Sequence, residues 1–488
     1  MVTSSIIRGL KAMFAAQSIS LLSKGLLIVL LTRFFLDAEE YGLLFFAISI
    51  LSVALLFTNL GLAKSAARYL AEYRKTDPAQ VPYIIWSTLK YNLVTIAIVT
   101  TAVVVFSDPV ARLLNEPRVA PLLVAGVGYI AFSSLKTFTS LTFQGLNSVD
   151  WSAKTDIVAN VSLLVFIVGF LLLGLGPLGA ILGYTVGFAL AVVVGFVVLY
   201  VKFYRPLDEG APRERGLSKR ILRYSIPLTV TRGAVMLDSR VDAILVGYFL
   251  NPVAVGYYML GKQITDFVIA PATTIGFSIS PTYGEQKVTN KLERAANLYE
   301  TTFEYVVTLY VPAAVGMAIL AEPTVRLIFG EGYIGAVPVV QVFSLYVLLR
   351  AIDKITNDSL DFIGRAGARA YAKSATAVAN FALNIALIPT LGVVGAALAT
   401  VITYVFLVAY EVYLIYTEFS LSLVRLARTT AIVCLVTLGM AIPVLAFEPF
   451  ISGLATLGAA VVLGIVMWSV LVSVSGLLSF RRVVGMLR

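Results

Sequence analysis

The 488-residue chain carries 59% apolar and 13% charged side chains, 37 basic against 27 acidic groups, a formal net charge of +10 and a mean hydropathy of +0.92. Soluble domains carry about 25% charged residues, so this chain cannot cover its own surface with polar groups and lipid must be its main solvent. Cys434 is the only cysteine and histidine is absent, which excludes disulfides, thiolate and histidine metal sites and Ser/His/Asp triads; no Walker A glycine loop occurs either, and no cofactor is expected.

Apolar stretches of about 20 residues, each able to cross a hydrocarbon core of roughly 30 Å, recur from Phe14 to Leu478. In chain order they predict transmembrane helices over 12–36, 43–69, 83–107, 119–144, 152–174, 178–202, 222–249, 253–281, 302–321, 336–357, 371–391, 393–416, 429–447 and 452–479. That makes an all-α integral membrane protein of about fourteen spans. The run 14–35 reads as the first span and not as a signal peptide, since Lys24 interrupts it and no small-residue cleavage site follows.

Lys and Arg crowd the connections on the side of the amino terminus, whereas the opposite side has only Arg33, Arg112, Arg118 and Arg326. The positive-inside rule then puts both termini in the cytoplasm of a multi-pass cell-membrane protein. It also accounts for the basic balance through contact with anionic membrane lipids, without nucleic acid. The longest connection, near Phe203 to Leu222, is basic and contains Pro206, Gly210, Pro212 and Gly216, the marks of a boundary between two halves. No loop has room for a catalytic domain, so a membrane-embedded glycosyltransferase or polymerase is disfavoured and no enzyme activity is expected.

The chain also repeats itself. Leu31, Phe35, Leu36 and Gly42 recur 214 positions later as Leu245, Phe249, Leu250 and Gly256, and the same offset carries Tyr91 onto Tyr305 and Pro109, Arg112 and Leu113 onto Pro323, Arg326 and Leu327. Gly176 and Gly179 find Gly392 and Gly395 at 216. Six spans per copy means that both copies start on the same side, so these are parallel repeats related by an axis along the membrane normal. The expected organisation is an N-lobe over 1–204, a cytoplasmic linker over 205–221, a C-lobe over 222–416 and two additional transmembrane helices over 417–488.

Five stretches resemble the multidrug/oligosaccharidyl-lipid/polysaccharide exporter superfamily, and within it the polysaccharide-biosynthesis flippase branch. They are RFFLDAEEYG (Arg33 to Gly42), NLGLAKSAARYLAEY (Asn59 to Tyr73), QGLNSVDW (Gln144 to Trp151), DAILVGYFL (Asp242 to Leu250) and FGEGY (Phe329 to Tyr333). The resemblance implies two six-helix lobes around a central cavity and flipping of a lipid-linked sugar from the inner to the outer leaflet by alternating access. It also implies that the last two spans are the added pair seen in similar lipid II flippases.

An ionisable group at bilayer depth is costly unless paired or hydrated, which makes each a functional candidate. Lys24, Lys64, Lys90 and Lys136 lie in the first four spans, which hold no Asp or Glu. Four lysines without an internal acid favour an anionic substrate group such as a phosphate, against the plainer alternative of snorkelling to the interface. Span seven adds Arg232, Asp238, Arg240 and Asp242, and span eight adds Lys262 and Asp266. Asp238 and Asp242, and Lys262 and Asp266, are spaced for one helix face and read as ion or structural pairs. Asp353, Lys354, Asp358, Asp361 and Arg365 read as a cytoplasmic salt-bridge cluster.

Lys24, Lys64, Arg232 and Arg240 are thus the expected cradle for the phosphate of a polyprenyl-(pyro)phosphate-linked oligosaccharide, with Lys90 and Lys136 as further substrate-binding candidates. Glycosyltransferases of the same pathway are the expected protein partners. The alternative is an ion-coupled multidrug exporter of the same superfamily, which should carry buried acids in its first lobe.

Overall fold

The structure, a computed structural model, describes residues 2–205, 214–273, 282–283, 285–287 and 291–475, with side-chain surroundings from Ala16 onward except at 227, 230–232, 234–235 and 237–239. Every described regular element is helical. The chain forms two compact units, Met1–Gly256 and Tyr257–Arg488.

The first unit runs through α1 (Val2–Leu30, ending in the π-helical turn Leu31–Phe35), α2 (Ala38–Asn59), α3 (Leu62–Thr76), α4 (Val81–Leu113), α5 (Val119–Ala125), α6 (Val127–Gly145), α7 (Val149–Leu172), α8 (Gly176–Leu199) and α9 (Leu217–Phe249). Asp37 starts α2: its carboxylate accepts from the amides of Glu39 (2.9 Å) and Glu40 (2.8 Å), and the Glu40 side chain returns to the Asp37 amide. This reciprocal cap satisfies helix-start amides that lipid could not. Asn251, the residue 214 positions on, caps α10 (Pro252–Val268) in the same way by accepting from the Ala254 amide at 2.9 Å.

Gly42 and Gly256, matched at that same offset, face each other. A Cβ on Gly42 would strike the Pro252 carbonyl and the Gly256 amide, and one on Gly256 would meet the Ala38 carbonyl. Hydrocarbon supplies no hydrophobic drive for helix association, so such close backbone approach through small residues is what holds helices together in lipid. Gly176 and Gly392, matched at 216, both adopt positive φ (51° and 62°) where a helix begins, a conformation costly for any residue with a Cβ.

Between α2 and α3 the chain turns through Leu60 (φ 35°) and Gly61 (φ 67°). The carbonyl of Thr58 beside this break accepts from Asn92 Nδ2 at 2.9 Å and Thr95 Oγ1 at 2.6 Å on α4, and Asn92 continues to Ser134 of α6 and thence to Asn59. The break is therefore answered by a buried amide network. Farther along, Arg118 grips Glu116 and reaches Glu39 at 2.7 Å, tying the α4–α5 turn to the start of α2. α9 packs on α2, α3 and α4, and Ser65 donates to the Ile221 carbonyl at 2.8 Å.

The second unit holds α11 (Leu292–Ile319), α12 (Val337–Phe362), α13 (Ala366–Leu391), α14 (Val393–Phe419), α15 (Leu423–Phe447) and α16 (Leu454–Ser475). α12, α13 and α14 pack together, with α11 against α12 and α14. α15 is fastened to α11 by Arg425, which forks onto Glu304 (2.7 and 3.0 Å) and bonds Glu300 (2.8 Å), while the Ser422 amide donates to Glu300 at 2.6 Å. α16 packs on α15.

Among the described residues eleven helices are long and apolar enough to cross a membrane, and a twelfth span results if α5 and α6, bent by 42°, count as one. The expectation of about fourteen exceeds this by the segments 222–249 and 253–281. The first is the charge-rich α9; the second runs into 274–281, outside the described residues.

A Cβ at Gly42 has no room to retreat because it meets backbone. Gly42→Ala is therefore expected to lower stability by about 1–3 kcal/mol, read by thermal unfolding in detergent. Gly169→Ala, on α7 with nothing within 4 Å of the added methyl, should leave the unfolding temperature unchanged or slightly higher.

Candidate functional site

Four lysines of the first unit, Lys24, Lys64, Lys90 and Lys136, lie within its candidate membrane spans. Lys24 lies 22 residues into α1, Lys90 nine residues into α4, Lys136 nine before the end of α6 and Lys64 twelve before the end of α3. At about 1.5 Å per residue, Lys64, Lys90 and Lys136 stand roughly 14–18 Å from those helix ends. Lys24, Lys64 and Lys90 are exposed, and among the described residues none of the three has a hydrogen bond or ion pair.

Lys136 differs. Its ammonium pairs with Asp156 of α7, and both side chains are partly covered. The premise that the first-lobe lysines have no acid partner within their own lobe therefore fails at this position, because the acid comes from span five and not from the first four. Pairing at this depth removes the cost of two separate charges, which ties α6 to α7 and leaves Lys136 less available to a ligand.

Arg240, on α9, is half-buried and within electrostatic reach of the Tyr184 hydroxyl. Tyr184 forms an aromatic group with Tyr129 (6.0 Å, edge-on) and Phe188 of the same helix. Asp242 is fully buried. Arg232 and Asp238 lie outside the described side chains.

In the second unit, Asp266 pairs with Arg350 of α12. The Lys262 ammonium stands 5.5 Å from the centre of the Tyr258 ring. The i,i+4 spacing that suggested a Lys262–Asp266 pair is overridden by an arginine from a neighbouring helix. The expected cluster near the end of span ten is in part present: Lys354 pairs with Asp358 (3.3 Å) and Arg369 with Asp361 (3.0 Å). Arg365, however, turns to Glu418 of α14, which also takes Lys287 at 2.8 Å. Glu411, also of α14, is 1% exposed, and neither of its carboxylate oxygens has a hydrogen-bond donor among the described residues.

Asp156 and Glu411 are the residues that reading along the sequence missed. Both are acids inside long apolar helices, so asking for every carboxylate at bilayer depth, span by span, would have found them.

Residues 6–282 match a family model described as polysaccharide biosynthesis protein. A probable low-salt glycan biosynthesis flippase of Haloferax volcanii is 21% identical over 371 residues, covering 76% of this chain and 75% of that protein. The lipopolysaccharide biosynthesis protein WzxC of Escherichia coli is 23% identical over 350 residues, covering 69% and 66%. Among solved structures, the lipid II flippase MurJ in an inward closed conformation superposes with a TM-score of 0.76 at 15% identity, over 98% of this chain and all of that one. An inward-facing MATE family multidrug transporter gives 0.69 at 14% identity over 82% and 95%. At such identities the likeness to solved structures is one of fold.

If Lys136 and Asp156 answer each other, Lys136→Met should lower the unfolding temperature by stranding a carboxylate, and adding Asp156→Asn should restore most of the loss. Equal destabilisation in the single and double variants would separate the two residues energetically.

Proposed function

The chain belongs to the polysaccharide biosynthesis protein family, a membrane flippase branch of the multidrug/oligosaccharidyl-lipid/polysaccharide exporter superfamily, and we propose that its substrate is a polyprenyl-phosphate or pyrophosphate-linked oligosaccharide. The protein is a multi-pass membrane transporter and not an enzyme. In the proposed cycle the lipid-linked sugar enters from the inner leaflet, its phosphate is held by lysines of the first unit, and the two repeats rock to release it in the outer leaflet. The polyprenyl tail stays in lipid throughout. Products of pathway glycosyltransferases are the natural supply.

The observation that carries this reading is that Lys24, Lys64 and Lys90, all within candidate membrane spans, are exposed and without partners among the described residues. Free ammonium groups at membrane depth are tolerated where water or an anionic ligand meets them, and a lysine ammonium suits phosphate oxygens. Arg240 beside Tyr184 joins this set as a proposed contact for the head group; Arg232 keeps the same proposed role on sequence grounds. Lys136 is the weakest member, since Asp156 already answers it. A drug exporter handling organic cations would need unpaired acids in the first unit, and Asp156 is not one.

The test is flipping of a labelled polyprenyl-pyrophosphate oligosaccharide in reconstituted vesicles, read by access of a membrane-impermeant quencher. Charge-assisted bonds to phosphate contribute about 1.5–3 kcal/mol each. Lys24→Glu and Lys64→Glu should therefore each slow flipping by about tenfold or more while leaving thermal stability near normal. Undiminished flipping by Lys24→Glu would remove the phosphate cradle.

The direction of transport requires the amino-terminal side to be cytoplasmic, as the Lys and Arg distribution implies. Reporters fused after Arg220 should then report cytoplasm, and those at Glu39 and Glu331 the outside. A cytoplasmic signal at Glu331 would break the parallel arrangement of the repeats.

A further inference from the structure

The turn between α6 and α7 recurs in the second unit 217 positions on, between α12 and α13. The amides of Asn147 and Ser148 donate to the carbonyls of Gln144 and Phe143, and those of Gly364 and Arg365 donate in the same pattern to Asp361 and Leu360. Asn147 and Gly364 both take a positive φ, of 59° and 82°. In each unit the carbonyl that follows the helix end accepts from a cation on another segment. Leu146 accepts from Arg74 of α3 at 3.0 Å, and Ile363 accepts from Lys287 at 2.8 Å.

The charges around the two turns do not match. In the second unit Glu418 accepts from Lys287 at 2.8 Å and from Arg365 at 2.5 Å, so one carboxylate answers both cations. The offset of 216 that carries Gly176 and Gly179 onto Gly392 and Gly395 carries Lys202 onto Glu418, with Phe203 and Phe419 following in each copy. The first unit thus has a third cation, where the second has its carboxylate. Arg74 and Lys202 border a cleft of about 350 Å³ that Pro78, Val81, Asn147 and Ser148 also line, and no acidic side chain among the described residues lines it. Arg74 has no hydrogen bond among the described residues besides that to Leu146, and its Nε is buried without a partner. The exposed Lys202 ammonium stands 4.2 Å from the centre of the Trp151 ring, a contact that holds a cation without neutralising it. Lys154 stands at the same distance from that ring, but Asp150 answers it at 3.4 Å.

We propose that this cleft binds a phosphate group between Arg74 and Lys202, in the place that a carboxylate of the chain itself fills in the second unit. A phosphate accepts from the guanidinium N–H groups that Leu146 leaves free and from the Lys202 ammonium, and the Asn147 amide and Ser148 hydroxyl add neutral donors. The cleft is built from helix ends and turns: the end of α3, the start of α4, the α6–α7 turn and the chain just after α8. Trp151 beside it is the residue type that sits at the level of lipid head groups. Two sources present a phosphate there, the head of an anionic phospholipid and free phosphate from the adjoining water. Lys24, Lys64 and Lys90 do not line the cleft, so the site stands independently of the substrate proposed above.

Thermal unfolding of the full-length protein in phosphatidylcholine nanodiscs tests this, because a ligand that binds only the folded state raises the unfolding temperature. Mixing in phosphatidylglycerol probes the lipid source; adding inorganic phosphate, against chloride at matched ionic strength, probes the free one. A rise of a few degrees is expected from at least one of them. No rise from either overturns the proposal, and that is the result if Asp208 or Glu209, which lie outside the described residues, already fills the cleft. Lys202→Glu gives the first unit the carboxylate of the second. It should abolish the rise while leaving the unfolding temperature without added anion at or above that of the unaltered protein. Lys202→Gln covers a failure of that variant to fold and should abolish the rise as well. Lys154→Gln, beside the same ring but outside the cleft, should keep it. An equal loss in Lys154→Gln would show a general attraction of anions to a basic surface and overturn the site, as would a full response in the Lys202 variants.

Discussion

Hydrocarbon offers a polar group nothing to bond, so each one carried into these helices is answered by protein or marks a place where something else must answer it. Most are answered. The Thr58 carbonyl freed by the break after α2 is met by Asn92 and Thr95, and Glu300 and Glu304 are met by Arg425. Lys136 is met by Asp156. Against that background two exceptions among the described residues stand out: the exposed lysines Lys24, Lys64 and Lys90 in the first unit, and Glu411, buried without a hydrogen-bond donor, in the second.

The internal repeat is visible in how the backbone is handled as well as in residue identities. Asp37 and Asn251 are different residues doing the same capping work at corresponding helix starts. Gly176 and Gly392 both take a positive φ, and Gly42 and Gly256 are small because each sits against the other's helix. These are the positions where chemistry leaves least freedom, so they persist while the side chains around them diverge. The charges diverged instead: lysines dominate the first six spans, whereas Asp266, Arg350, Asp353 and Glu411 mix both signs in the second unit.

Membrane class, helical architecture and most helix positions were legible in the sequence, because they follow from runs of apolar residues and local caps. The site was legible only where it is made of single residues. Lys24, Lys64 and Lys90 declare themselves as unneutralised charges in apolar runs. Lys136 looks identical in sequence, and what distinguishes it is Asp156, twenty residues away on another helix. Asp266 looked local because Lys262 is one turn from it, yet Arg350, 84 residues on, takes the bond. Arg365 seemed to belong to a charge cluster at a helix end, yet Glu418 of α14, 53 residues on, takes its bond. Partner choice between helices is a tertiary fact, and spacing along one helix does not encode it.

The Arg425 fork has an evolutionary consequence. Glu300 and Glu304 sit on α11, while the guanidinium that satisfies them belongs to α15, the first of the two terminal helices. Loss of that terminal pair by truncation would strip the counter-charge from two carboxylates in a helix that stays behind. A lineage can therefore shed or acquire the pair only together with a change at positions 300 and 304. In relatives that end after their twelfth helix, those two positions should be occupied by residues that carry no charge, a trace readable in sequences long after the helices themselves are gone.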